Sequence, residues 1–289
     1  MKPHRQSNKY LLFLVTCALV FLTTLPGKAQ LLESEDFNAK STSISESQVR
    51  FTVDPGSQQS HAVEVFNNSS EPQRYRITYQ DFELTPEGKT TFLVAGSSAQ
   101  SLSKYLSITP EQIEVAPGQT GEVTLSVSIP EDEPSGKSAW GVVMIEPVEE
   151  KVAAMQESAD RSADEYGFLS TLGYGIWLYQ NPSCAENTQV DITNFIVGNK
   201  ERNKGVFLKV KNKGEGISIF NAYVEITNLT TGDKIMIEGN EYTILPGTRR
   251  TFMFELAEQL PKGSYSAKGV IDYKDQEEMA ATKLEFKID

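Results

Sequence analysis

Cysteine and histidine are nearly absent: two of each occur in 289 residues, Cys17 and Cys184, His4 and His61. Cys17 and His4 lie in an N-terminal stretch that reads as a targeting segment. There the basic MKPHRQSNKY precedes the uncharged apolar run LLFLVTCALVFLTTL, and Gly27 and Ala29 stand at a spacing that signal peptidase reads. Residues 1–29 are expected to be a cleaved signal peptide. The apolar run falls just short of the roughly 18–20 residues that span a bilayer. Val15-Thr16-Cys17 only weakly resembles a lipidation site. The chain is then exported with one thiol and one imidazole, so an internal disulfide and a Cys/His metal cluster are both excluded. Cys184 is expected to be a small buried hydrophobe, the alternative being a lone thiol able to bridge to another chain.

An excess of positive charge is lacking too. Lys and Arg number 27 against 39 Asp and Glu, and removal of Lys2, Arg5, Lys9 and Lys28 takes the formal charge from −12 to −16. Such a chain repels phosphate backbones, so neither nucleic acid nor an anionic membrane surface is an expected partner. Catalytic patterns are also missing. His61 sits in an alternating run, SHAVEVF, with no GxSxG elbow anywhere, and Glu131-Asp132-Glu133 and Glu149-Glu150 fall in turns without pocket signals. Asp54, Asp81, Asp191 and Asp272 stand at strand ends where calcium is sometimes held, but no D-x-D-x-D-G loop accompanies them. The Asn-x-Ser/Thr triplets at Asn67, Asn68 and Asn228 matter only in a eukaryotic secretory route. The reading is a non-enzymatic protein with no cofactor and no metal.

What the sequence has is short alternating strands punctuated by Pro, Gly and Asn, with no useful helix-period segment. In GEVTLSVSIP the residues Val123, Leu125, Val127 and Ile129 fall on one face and Thr124, Ser126 and Ser128 on the other, as a half-buried strand requires. The grammar occurs twice. Pro117-Gly118 answers Pro246-Gly247, Pro134 answers Pro261, and Gly136 answers Gly263. The expected fold is all-β, two immunoglobulin-like β-sandwich domains in tandem. Their expected extents are residues 43–182 and 186–289, joined by the short polar NPSCAEN. Residues 30–42 are expected to be disordered, and the acidic stretch 149–166 to be a mobile loop within the first domain. Tyr265, just after Gly263, is a candidate tyrosine-corner residue.

The segment GFLSTLGYGIWLYQNP, residues 167–182, closes the first domain. Its even positions include Phe168, Leu172, Tyr174, Ile176 and Leu178, while its odd ones are small until Trp177. Two readings are open: the bulky face is the domain's own core, or the strand is an edge that donates those side chains to an incoming chain.

VRFTVDPG with HAVEVFNNSSEPQRYRITYQDF, then ITPEQIEVAPGQTGEVTLSVSIP, then an aromatic strand ending in Asn-Pro, resembles the periplasmic pilus-assembly chaperones of the PapD-like superfamily. The resemblance implies two immunoglobulin-like domains, and a last strand of the first domain, here 167–180, that completes a pilus or surface-fibre subunit. It also implies a basic pair in the cleft that holds the subunit's terminal carboxylate. Arg50 falls where the family has its first-strand arginine, whereas the family's lysine falls near Trp177 and is missing. The partner-binding residues so implied are Arg50, Phe168, Leu172, Tyr174, Ile176, Trp177 and Leu178. GYGIWLYQ, VFLKVKNKGEGI and TILPGTRRTF resemble cell-surface proteins that interact with WxL-type wall proteins, which implies a wall-binding module instead. Periplasm is the expected location, with the cell surface second.

Overall fold

The computed structural model describes residues 42–133, 137–148, 173–185, 189–200, 203–256, 260–273 and 279–288, with the side chains of Lys200 and Asn203 left aside. The expected signal peptide, most of the N-terminal segment expected to be disordered, and the acidic loop lie outside these residues, as do Pro134, Gly136, Phe168 and Leu172.

All regular structure among the described residues is β. The first ten strands are β1 Thr42–Ile44, β2 Gln48–Phe51, β3 Gln58–Asn67, β4 Gln73–Leu84, β5 Thr90–Leu93, β6 Leu106–Thr109, β7 Gln112–Val115, β8 Thr120–Ser128, β9 Ala139–Pro147 and β10 Tyr174–Gln180. They form a sheet in the order β1-β3-β8-β6 facing a sheet in the order β2-β10-β9-β4-β5, with β7 also on β4. The remaining strands are β11 Val190–Lys200, β12 Asn203–Asn212, β13 Ser218–Asn228, β14 Lys234–Ile244, β15 Arg249–Glu255, β16 Gly263–Asp272 and β17 Met279–Ile288. They build a second sandwich from β11-β12-β15 and β14-β13-β16-β17. The chain is thus a pair of immunoglobulin-like sandwiches.

Alternation fills each core. Val123, Leu125 and Val127 of β8 are fully buried against Val63, Val65, Tyr75 and Ile145. Val206, Leu208 and Val210 of β12 meet Phe220, Val224 and Ile271 in the second sandwich.

The internal repeat reaches further than its Pro-Gly turns. Gly118 and Gly247 both adopt positive φ, 66° and 71°, a conformation open to glycine at little cost. Each turn is tied to a buried asparagine at the end of a core strand. Asn67 Nδ2 donates to Glu71 O and Val115 O at 2.8 and 2.9 Å, while its Oδ1 accepts from Ser69 N. Asn212 Nδ2 donates to Gly216 O and Ile244 O at 2.8 and 3.1 Å, and its Oδ1 accepts from Gly214 N. The same side chain closes the same corner in both sandwiches. Tyr265 is buried and its hydroxyl donates to Pro261 O at 2.6 Å, the bond back to upstream backbone that a tyrosine corner makes.

Candidate functional site

Strand β10 lies between β9, which it pairs antiparallel over its whole length, and β2, which it pairs in parallel over four residues only. Trp177, Leu178, Tyr179 and Gln180 oppose Gln48, Val49, Arg50 and Phe51. Tyr174, Gly175 and Ile176 have no strand beside them on the β2 flank among the described residues. Trp177 N–H donates to Ser47 O and Asn181 N–H to Phe51 O, so the odd residues aim their backbone groups at this flank. By the same alternation Gly175 N–H and C=O face the flank where β2 has ended.

The side chains divide by parity. Ile176 and Leu178 are 1% and 0% exposed and belong to the core of the first sandwich, with Tyr174 packed at its margin. The bulky face is therefore the domain's own interior. Donation of Ile176 and Leu178 to another chain is incompatible with this burial, and the backbone that faces the flank here is that of Gly175. Trp177 and Tyr179 point from the opposite face. Trp177 lies edge-on to Phe82 at 4.7 Å and stacks on Phe92 at 6.1 Å, and Phe92 is 48% exposed.

Beside β2 an open recess of about 380 Å³ is lined by Glu46, Ser47, Gln48, Arg50, His61 and Glu241. The Arg50 guanidinium is engaged by the carboxylate of Glu241, which comes from β14 of the second sandwich. With its amide turned to face the guanidinium, Gln48 Oε1 accepts from Arg50 Nε and Nη2 at 2.6 and 2.8 Å. Where the sequence comparison left a cation missing at Trp177, the second sandwich brings Arg250 to the same neighbourhood. Arg250 Nη1 donates to Thr243 O at 3.4 Å, its guanidinium lies 5.6 Å from the Phe252 ring, and its buried Nε has no partner. Burial lowers the Arg250 pKa. Tyr179 is within electrostatic reach of both arginines: burial pushes its phenol up to about 12 against the pull of Thr243, Arg250 and Arg50. Glu241 and Arg250 were not singled out from the sequence; the only trace of the second is the pair Arg249-Arg250 after the Pro246-Gly247 turn.

The junction between the sandwiches is apolar at its centre. Phe82, Trp140, Val142 and Tyr179 from the first pack with Ile217 and Leu245 from the second. Asn181 latches it. Its Oδ1 accepts from Ile217 N and Ser138 Oγ at 2.9 and 2.7 Å, and its Nδ2 donates to Ile217 O at 2.9 Å. Ser138 Oγ also lies 3.0 Å from Glu215 O. The short connection is thus held to both domains. Asp54 accepts from Ser183 N and Oγ, bonds that lower its pKa.

Other polar residues have local partners. His61 Nε2 meets Glu46 Oε1 at 2.6 Å. Asp81, fully buried, accepts from Tyr79 and Ser101 hydroxyls and Ser98 N–H. Among the described residues no three His, Cys, Asp or Glu side chains gather as metal ligands would. Cys184 corrects its expectation: it is exposed, because it sits on the turn after Pro182 where neither core reaches.

No protein-family model matches the chain, and no curated protein does. Solved structures are similar in fold. The class 5 fimbriae chaperone CfaA shares 13% identity over 84% of this chain and 98% of its own, with a TM-score of 0.44. The CupB2 chaperone of Pseudomonas aeruginosa shares 12% over 85% and 100%, at 0.40. A chain from the Salmonella enterica SafA pilin in complex with the SafB chaperone shares 12% over 84% and 96%, at 0.41. These likenesses concern strand architecture and assign no function to this chain.

Proposed function

We propose that this is an exported, non-enzymatic protein that binds another polypeptide by strand addition along the N-terminal half of β10, acting as a chaperone of pilus or surface-fibre subunits. The observation that supports the reading is the flank at Gly175, where among the described residues β10 runs past the first residue of β2 with no strand paired to it on that side. An extended chain entering there continues the line of β2 and gains main-chain hydrogen bonds. Tyr174 and Trp177, on the strand itself, are the side chains nearest such a chain. Arg50 is the basic feature beside the strand for a terminal carboxylate, which would have to displace Glu241. Periplasm is the proposed location. The occupied state of Arg50 favours a second reading: a cell-surface module that bridges wall proteins or polymers and has no use for a free carboxylate clamp.

Gly175→Pro tests the proposal, because it deletes a donor aimed at the flank and none aimed at β9. A Cβ at Gly175 makes only ordinary contacts, with Val142 and Met144 at 3.4 and 3.6 Å, so Gly175→Ala serves as the folded control. Pull-down from the native envelope followed by mass spectrometry should recover a fibre subunit with the parent chain and Gly175→Ala, and lose it with Gly175→Pro. Equal recovery by Gly175→Pro would refute strand addition at this edge, and recovery of wall proteins in place of fibre subunits would favour the second reading.

A further inference from the structure

Strand β14 is the outer strand of its sheet, paired to β13 on one side and to no strand on the other among the described residues. Asn228 N–H donates to Asp233 O at 2.8 Å, so the Asp233 backbone faces β13. By alternation, Lys234, Met236 and Glu238 turn their N–H and C=O outward. The free edge is short and bounded. Before it comes the turn with Gly232 at φ 80°, and after it a bulge at Gly239 and Asn240, where the pairing shifts between Asn221 and Tyr223.

Edges of this kind are normally blunted by proline or by a charge at the centre. Here the centre is Ile235-Met236-Ile237, with Ile235 45% and Met236 55% exposed and on opposite faces. The charges stand only at the two ends, Lys234 and Glu238. Reversed, the segment KIMIE keeps its apolar centre and exchanges its two charges. Two copies run antiparallel about Met236 therefore set Lys234 of each opposite the partner's Glu238, Ile235 opposite the partner's Ile237, and Met236 opposite the partner's Met236. The residues whose backbone groups face outward then oppose one another as hydrogen-bonded pairs. A register moved by two residues loses both charge pairs and sets Lys234 against methionine or asparagine.

We infer that the β14 edge, Lys234–Glu238, is a self-association surface whose occupant is a second copy of this chain. The product is a two-fold dimer in which the two four-stranded sheets join edge to edge. Opposite-charge cross-strand pairs fix the register. Lys234 also bonds Glu225 of its own strand pair at 3.2 Å, and its side chain is exposed, so its ammonium, with three donors, can serve both carboxylates.

Sedimentation equilibrium over rising protein concentration tests this. The parent chain should approach twice the monomer mass. Lys234→Glu and Glu238→Lys should each remain monomeric, because each sets like charges opposite at both ends, whereas an equimolar mixture of the two restores both pairs and should dimerise. Met236→Pro, which removes only an outward N–H, should remain monomeric and stands in if Lys234→Glu does not fold. A parent chain that stays monomeric to its solubility limit overturns the inference, as do single variants that associate like the parent or a mixture of folded variants that stays monomeric.

Discussion

At the scale of the residue, two asparagines, Asn67 and Asn212, close equivalent corners of the two sandwiches. Each satisfies two carbonyls and one amide with a single side chain, all of them buried at Asn212 and one carbonyl buried at Asn67. Asn67→Ala and Asn212→Ala should each cost on the order of 1–3 kcal/mol, because carbonyls are left buried without donors; urea denaturation measures this. The tyrosines set the alkaline limit. Burial raises Tyr179 to about 12 and also raises Tyr79 above its ordinary value of 10.0. In the unfolded chain both ionise near 10, so their contribution is complete below that pH and is lost as pH climbs toward the folded values. Stability should therefore decline above pH 10, and Tyr179→Phe should flatten that decline in a pH series of denaturation midpoints. Tyr265 was legible in the sequence because its corner has a fixed place after a glycine. Asn67 and Asn212 were not, since NNSSEP and NKGEGI share little besides the asparagine and its role depends on a Pro-Gly turn far along the chain.

At the scale of the element, β10 shows what alternation can and cannot tell. Its period of two was plain in YGIWLYQ, and it separated one bulky face from one small face ahead of Trp177. Which face is interior depends on β9 and β2, distant in sequence, and a period carries no such sign. The parallel pairing of β2 with half of β10 was equally illegible, because nothing local to QVRF specifies a partner more than a hundred residues away. Ile176→Ala and Leu178→Ala should each destabilise the first sandwich by about 2–5 kcal/mol, the usual cost of truncating a buried aliphatic side chain, with chemical denaturation as the measurement. Aspartate at either position should unfold that sandwich, whatever partner the edge receives.

At the scale of the whole molecule, the two sandwiches share the apolar cluster around Trp140 and Ile217 and the bonds of Asn181. Two sandwiches in tandem were legible in the repeated grammar, but the seam was invisible, since its residues are scattered among β4, β9, β10 and the turns beside β13 and β15. Ile217→Asp buries an unpaired carboxylate there at a cost of about 3–5 kcal/mol. Calorimetry should then resolve two melting transitions where the parent chain gives one; a single unsplit transition would mean that the seam does not couple the units. One further property follows from where this seam lies. The chain has two tryptophans, Trp140 in the shared cluster and Trp177 against Phe82 at its border. Intrinsic fluorescence excited at the indole band thus comes from the seam alone, and its colour reports whether water has entered between the sandwiches while staying blind to events at their far ends.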